Sequence, residues 1–118
     1  MGRIIHTTNP TRQRRSVLKK MASAIQNFSK SPQSDESVSD FTATLIASLQ
    51  EIRDSVDRTA AAWEKRDYWL KADAFRRQWS WVEKRHTGLK NLMPSGSPAD
   101  LRRQIQDLGE ELENLRLQ

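Results

Sequence analysis

The distribution of glycine and proline limits the fold of this 118-residue chain more than any other feature. The chain contains four residues of each type, and none of them lies between Pro32 and Gly88. No stretch alternates β-branched and polar residues with the period of two that a half-buried strand requires. We therefore predict an all-α fold.

Two helices have clear start signals. The first is predicted over residues 10–30, because Asn9 can cap the free N–H groups and Pro10 needs no N–H at the first helical position. The last is predicted over residues 98–117, because Ser97 can cap it and Pro98 occupies the first helical position. The apolar residues of the first helix are Val17, Leu18, Met21, Ala24, Ile25 and Phe28, and those of the last are Leu101, Ile105, Leu108, Leu112 and Leu115.

The region between them is predicted as one long central helix over residues 35–92. Unbroken, it would be roughly 87 Å long at 1.5 Å per residue. A bend near residues 64–67, where Arg66 interrupts the apolar line, would instead give a four-helix bundle. We prefer the straight rod, because no glycine or proline enforces the bend. The apolar line comprises Val38, Phe41, Leu45, Leu49, Ile52, Val56, Trp63, Leu70, Ala74 and Trp81.

The connections between the predicted helices are short, so neighbouring helices should run antiparallel. The polar segment 29–39 forms the first connection, and Ser95 and Gly96 lie in the second. Residues 1–9 are predicted as a flexible basic arm, and residues 10–118 as a single helical domain.

A second apolar stripe lies about 120° around the central helix from the first. A straight central helix would leave it uncovered by its own chain, which favours a homodimer or a protein assembly that buries it. A bent bundle would bury it within one chain. A lone histidine on such a stripe usually packs rather than binds a ligand. The stripe, our predicted oligomer or partner interface, comprises Tyr68, Phe75, Trp79, Val82, His86, Leu89 and Met93.

The charges are unevenly distributed along a chain of net charge +5. Residues 1–33 contain seven basic residues and no acid, whereas residues 34–57 contain six acids and one arginine. Four of the basic residues, including Lys30, point away from the apolar stripe of the first helix, and we predict that three of them bind a DNA or RNA backbone. A solvated helix face is the alternative. The three are Arg12, Arg15 and Lys19, with Arg3 and Arg14 assisting.

A second basic cluster is predicted on the central helix, where Lys65, Trp69 and Arg76 accompany Arg58. Trp69, expected to be partly exposed, could stack on an unpaired base while the cations hold the backbone. A tryptophan shielded by the Lys65 and Arg76 stems, or buried by a partner helix, is the alternative that we prefer.

The residues that catalysis or metal binding usually needs are scarce. The chain has no cysteine, and its two histidines, His6 and His86, are far apart in sequence. Neither a phosphate-binding glycine loop nor a zinc-protease motif is present. We therefore expect no enzyme activity, no cofactor, no metal site and no small-molecule substrate.

Two functions fit these patterns. The first is a non-enzymatic helical subunit of a larger assembly that binds a nucleic-acid backbone through its basic N-terminal helix. The second is a coiled-coil-like adaptor or structural oligomerisation protein that makes no nucleic-acid contact. No apolar run reaches the 18–20 residues of a membrane span, and no secretory core is evident, so we expect a cytoplasmic location.

Overall fold

The computed structural model describes residues 9–30 and 33–117. This part of the chain is all-helical, as predicted, and contains no strand. It has five helices rather than three or four. They are α1 (Pro10–Ser29), α2 (Asp35–Glu64), α3 (Trp69–Gln78), α4 (Ser80–Leu92) and α5 (Pro98–Leu117).

Local side chains begin three of the helices, in agreement with the sequence signals. Asn9 caps α1 through its side-chain oxygen, and Ser34 accepts the backbone N–H of Ser37 at the start of α2. Ser97 accepts the N–H of Asp100 at 3.1 Å at the start of α5. Each cap satisfies N–H groups that have no partner within the helix.

The predicted straight rod is wrong, because the central helix ends at Glu64. The N–H of Tyr68 bonds to the carbonyl of Trp63 at 2.9 Å, and the N–H of Asp67 bonds to that of Glu64 at 3.0 Å. This pair of bonds is the Schellman arrangement that closes helices, with Asp67 in the left-handed region at φ 65°. The break therefore coincides with the bend that we had placed near residues 64–67, although no glycine is used.

A second break, which the sequence did not indicate, separates α3 from α4. Trp79 lies between them with φ −101° and ψ 11°, outside helical geometry. Its N–H still bonds to the carbonyl of Phe75 at 3.2 Å, and its carbonyl accepts the N–H of Val82 at 3.1 Å. The backbone thus changes direction at Trp79 with little loss of hydrogen bonding.

Helix α2 is the centre of the molecule, since α1, α3, α4 and α5 all pack against it. Arg14 near the start of α1 bonds to Thr59 near the end of α2, so these two helices are antiparallel. Arg102 near the start of α5 bonds to Asp35 at the start of α2. The longest dimension of the molecule is 48 Å. The core residues are Met21, Ile25, Val38, Leu45, Leu49, Ile52, Val56, Val82, Leu89, Leu101, Ile105, Leu108 and Leu112.

The second apolar stripe is not left uncovered, and this corrects our expectation. Because α3 and α4 fold back onto α2, Val82 and Leu89 are each 1% exposed and His86 is 5% exposed. Phe75, Trp79 and Met93 are half-buried in the same chain, and only Tyr68 of the predicted interface is exposed. The stripe therefore gives no reason to expect a homodimer.

Candidate nucleic-acid interface

The rotation of α1 about its axis decides which of its cations face outwards. The side chain of Asn9 accepts the N–H of Thr11 at 2.8 Å and that of Arg12 at 3.3 Å, which fixes the first turn. Further along, Met21 and Ile25 are buried in the core. Residues on the opposite side of the helix are consequently held at the surface.

We call Arg12, Arg15 and Lys19 the α1 basic face. All three are exposed, and α1 contains no acidic residue. Within residues 9–30 and 33–117, no carboxylate lies within 4.0 Å of a basic side chain of α1. The exposed Lys20 and Lys30 extend this unpaired charge along the helix. The ridge predicted from sequence therefore exists as a free cationic surface.

Several arginines in the remaining helices are neutralised by carboxylates. Each of these ion pairs joins a cation to an acid on the same or a neighbouring helix. The pairs are Arg53 with Glu83 at 3.0 Å, Arg76 with Asp57 at 3.8 Å and with Glu64, Arg77 with Asp73, Arg85 with Glu111 at 2.7 Å, and Arg102 with Asp35 at 3.4 Å.

Arg14 does not assist the basic face, contrary to our prediction. It is 5% exposed, and its guanidinium lies 4.9 Å from the ring centroid of Phe75 and 5.2 Å from that of Trp79. It donates to the carbonyl of Ser55 at 3.4 Å and to the hydroxyl of Thr59 at 3.3 Å. Burial, with a smaller contribution from the charge of Arg15, lowers the pKa of Arg14. This side chain joins α1, α2 and α3 and cannot reach an external anion.

A sequence signal for the burial of Arg14 was present. It precedes Leu18 by four residues and Met21 by seven, so it continues the apolar stripe of α1 by one turn. Its charge, rather than its phase on the helix, led to its assignment to the outer ridge.

The second basic cluster is not assembled as predicted. The guanidinium of Arg76 binds Glu64 and Asp57, and the hydrogen bond to Glu64 raises the pKa of Arg76. Arg58 donates to the side-chain oxygen of Gln13 on α1 at 3.0 Å. Of the predicted cluster, Lys65 and Trp69 are exposed, and Lys65 has no carboxylate partner among the described residues. The cations of Arg58 and Arg76 are thus engaged within the fold.

An apolar groove of about 500 Å³ lies between α1 and α5, beside the basic face. Its walls include Leu18 and Ala22 on α1, and Leu112 and Leu115 on α5. The cations at positions 15 and 19 also line it, so the groove combines an apolar floor with positive charge. Sequence reasoning missed it, because it depends on how closely two helices approach.

The remaining predictions concern the N-terminal arm, a metal site and a membrane span. Arg3 and the proposed arm, apart from Asn9, lie outside the described residues. Those residues contain no group of three or more potential metal ligands. Over the same ranges, none of the helices has the length and apolar character needed to span a membrane.

Comparison with known proteins identifies no relative of this chain. No protein-family model matches it, and neither a curated protein nor a solved structure shows significant similarity.

Proposed function

We propose that this protein is a non-enzymatic helical subunit that binds a nucleic-acid backbone through the α1 basic face. One observation supports the proposal above the others. Arg12, Arg15 and Lys19 are exposed on a helix without acids, and no described carboxylate neutralises them. An unpaired cationic surface of this kind attracts a polyanion and gains free energy when condensed counterions are released.

The spacing of the three cations suits a continuous backbone rather than a single small anion. Arg12 and Lys19 are seven residues apart, which is about 10 Å along the helix axis. Lys30 extends the positive surface by a further 16 Å or so towards the end of α1. Phosphates of either DNA or RNA fit this surface, and such contacts do not discriminate between base sequences.

The proposal is tested by fluorescence anisotropy of a labelled 20-base-pair duplex at a series of salt concentrations. We expect wild-type binding at low salt, with an affinity that falls by a slope of about −0.9 per neutralised phosphate in a log–log plot. The triple variant Arg12→Glu, Arg15→Glu, Lys19→Glu should lose binding. Circular dichroism should show an unchanged helix content, because all three positions are exposed.

A matched control separates the α1 basic face from net charge alone. Lys84, Lys90 and Arg103 are exposed on α4 and α5 and have no carboxylate partner among the described residues. Changing all three to glutamate alters the net charge by the same amount as the α1 variant. This control should bind several-fold more tightly than the α1 variant. Equal loss in both variants, or no wild-type binding at low salt, contradicts the proposal.

The groove between α1 and α5 supports the second candidate function, an adaptor. Its apolar floor and basic rim suit an acidic amphipathic helix from a partner. Isothermal titration with such a helical peptide, using wild type and Leu115→Glu, provides the test. A peptide that binds only the wild type, combined with no nucleic-acid binding, would favour the adaptor. The cytoplasmic location stays a prediction from sequence. So does the homodimer, but the stripe from which it was predicted is largely buried within one chain.

A further inference from the structure

Three consecutive large hydrophobic residues are exposed in the described part of the chain. Tyr68 is 51% exposed, Trp69 59% and Leu70 87%, and they are the exposed large hydrophobic side chains of residues 9–30 and 33–115. They lie where the chain reverses between α2 and α3. Trp63, in contrast, is half-buried, with its ring centroid 5.0 Å from that of Phe75.

The backbone that presents these side chains is well ordered by hydrogen bonds. The Schellman bonds of Asp67 and Tyr68 close α2, and the carbonyl of Tyr68 accepts the N–H of Ala72 at 3.0 Å to begin α3. The exposure of Tyr68 and Trp69 therefore follows from a defined turn between two helices. Aromatic rings held in this way lose little conformational entropy when a ligand stacks on them.

Positive charge surrounds the turn. Lys65 and Arg66 are exposed, with no carboxylate partner in the described ranges. Lys71 places its ammonium group 4.7 Å from the ring centroid of Trp63. Asp67 is the one acid between residues 65 and 71. The turn thus combines two exposed aromatic rings with three cations.

The turn and the α1 basic face lie at the same end of the molecule. Arg58 bonds to Gln13 at 3.0 Å, which places the last turns of α2 beside the first turns of α1. From Arg58, α2 continues for about 9 Å to Glu64 before the turn begins. The turn is therefore close in space to the first turns of α1.

We propose that Tyr68 and Trp69 stack on unpaired bases, so that the protein prefers single-stranded segments. This inference rests on the proposed function, because the α1 basic face holds the backbone of the same strand. Every base has a π-face, so stacking requires no particular sequence. Bases within a duplex are already stacked on their neighbours and cannot reach the two rings.

Leu70 distinguishes base stacking from burial of the turn by an apolar partner. It is the most exposed of the three residues, but it has no π-face. A lipid bilayer or a hydrophobic pocket on a protein would bury Leu70 together with Trp69. Stacked bases would leave Leu70 in solvent. The variant Leu70→Ala is therefore the matched control for Trp69→Ala.

The experiment measures the anisotropy of a labelled 20-nucleotide oligothymidylate and of a 20-base-pair duplex at 50 mM salt. We expect Tyr68→Ser, Trp69→Ala to weaken single-strand binding by about tenfold or more and to leave duplex binding within about twofold. Leu70→Ala should change neither affinity, and Trp69→Phe should retain part of the single-strand binding. Thermal unfolding followed by circular dichroism confirms that each variant is folded.

The outcomes separate this inference from the proposed function. The stacking inference is wrong if the aromatic double variant binds both probes with wild-type affinity, or if its affinity for both probes falls by the same factor. Neither result contradicts the proposed function of the α1 basic face. If Leu70→Ala weakens single-strand binding as much as Trp69→Ala, stacking is also wrong. The turn would instead bind a lipid surface if the wild type sediments with vesicles of phosphatidylserine and phosphatidylcholine and neither Leu70→Ala nor Trp69→Ala does. Absence of binding to either probe overturns both proposals.

Discussion

Helix α1 and the α3–α4 region are both rich in basic residues, but of the two only the α3–α4 region has arginines that are paired with described carboxylates. In α3 and α4, Arg76, Arg77 and Arg85 each bind a carboxylate. In α1, no basic side chain has such a partner in the described part of the chain. The two regions differ in how their cations are oriented towards the acids of α2 and α5.

This orientation follows from the phase of each helix. The positive α3–α4 region folds back onto the acidic α2, so Arg76 meets Asp57 and Glu64 across the interface. Helix α1 also packs on α2, but it does so through its apolar stripe, and its exposed cations point away. The charge counted along the sequence therefore identifies α1 as basic, whereas the helix phase determines which of its cations are free to bind an anion.

The largest effect is expected where α1 departs from its own pattern, at Arg14. We expect Arg14→Met to destabilise the protein by about 2–3 kcal/mol, because it leaves the hydroxyls of buried Ser55 and half-buried Thr59 with fewer partners and removes the contact with two rings. Urea unfolding followed by circular dichroism measures the change.

The neighbouring Arg15→Met is the control for Arg14→Met. Arg15 is exposed, so the free energy of unfolding should change by less than about 0.5 kcal/mol, while duplex affinity falls. Equal stability of the two variants would show that the inner and outer faces of α1 do not differ as described.

Sequence reasoning predicted the ends of the chain better than its middle, for a physical reason. The starts of α1 and α5 depend on adjacent residues such as Asn9 and Ser97, whose capping side chains act locally. The breaks at Asp67 and Trp79 are stabilised by packing of α3 and α4 on α2, which a single helix pattern does not contain. The exposed cations followed from helix phase, but the burial of Arg14 did not follow from its charge.

Asp67 tests the left-handed turn that closes α2 and allows the α3–α4 region to fold back. An aspartate at φ 65° tolerates the left-handed region, whereas a β-branched residue does so poorly. Asp67→Val should destabilise the protein by about 1–2 kcal/mol, and Asp67→Gly should be neutral or stabilise it by up to about 1 kcal/mol. Chemical denaturation of the three proteins provides the ranking. A valine variant as stable as the glycine variant would contradict the left-handed assignment.

His86 adds a pH dependence that α1 does not share. Burial, followed by the nearby charge of Arg53, lowers the pKa of His86 below its usual value. The unfolded chain therefore binds the proton more readily, and stability should decrease as the pH falls below the ordinary histidine pKa of about 6.5. Unfolding curves between pH 8 and pH 5 for wild type and His86→Leu test this. A variant with the full wild-type pH dependence over that range would assign the effect to other groups.

The smallest effect is expected at the most exposed ion pair of the α3–α4 region. Asp73 and Arg77 are four residues apart on α3, and their side chains are 61% and 70% exposed. Solvent screens such a pair, so Arg77→Gln should change the free energy of unfolding by less than about 0.5 kcal/mol. Arg85→Gln should cost more, because the Arg85 side chain is only 27% exposed and joins α4 to α5 through Glu111. If urea unfolding reverses this order, solvent screening does not govern these pairs. If the order holds, the exposed pairs of α3 mainly neutralise its surface, and the contrast with the unpaired cations of α1 lies in binding rather than in stability.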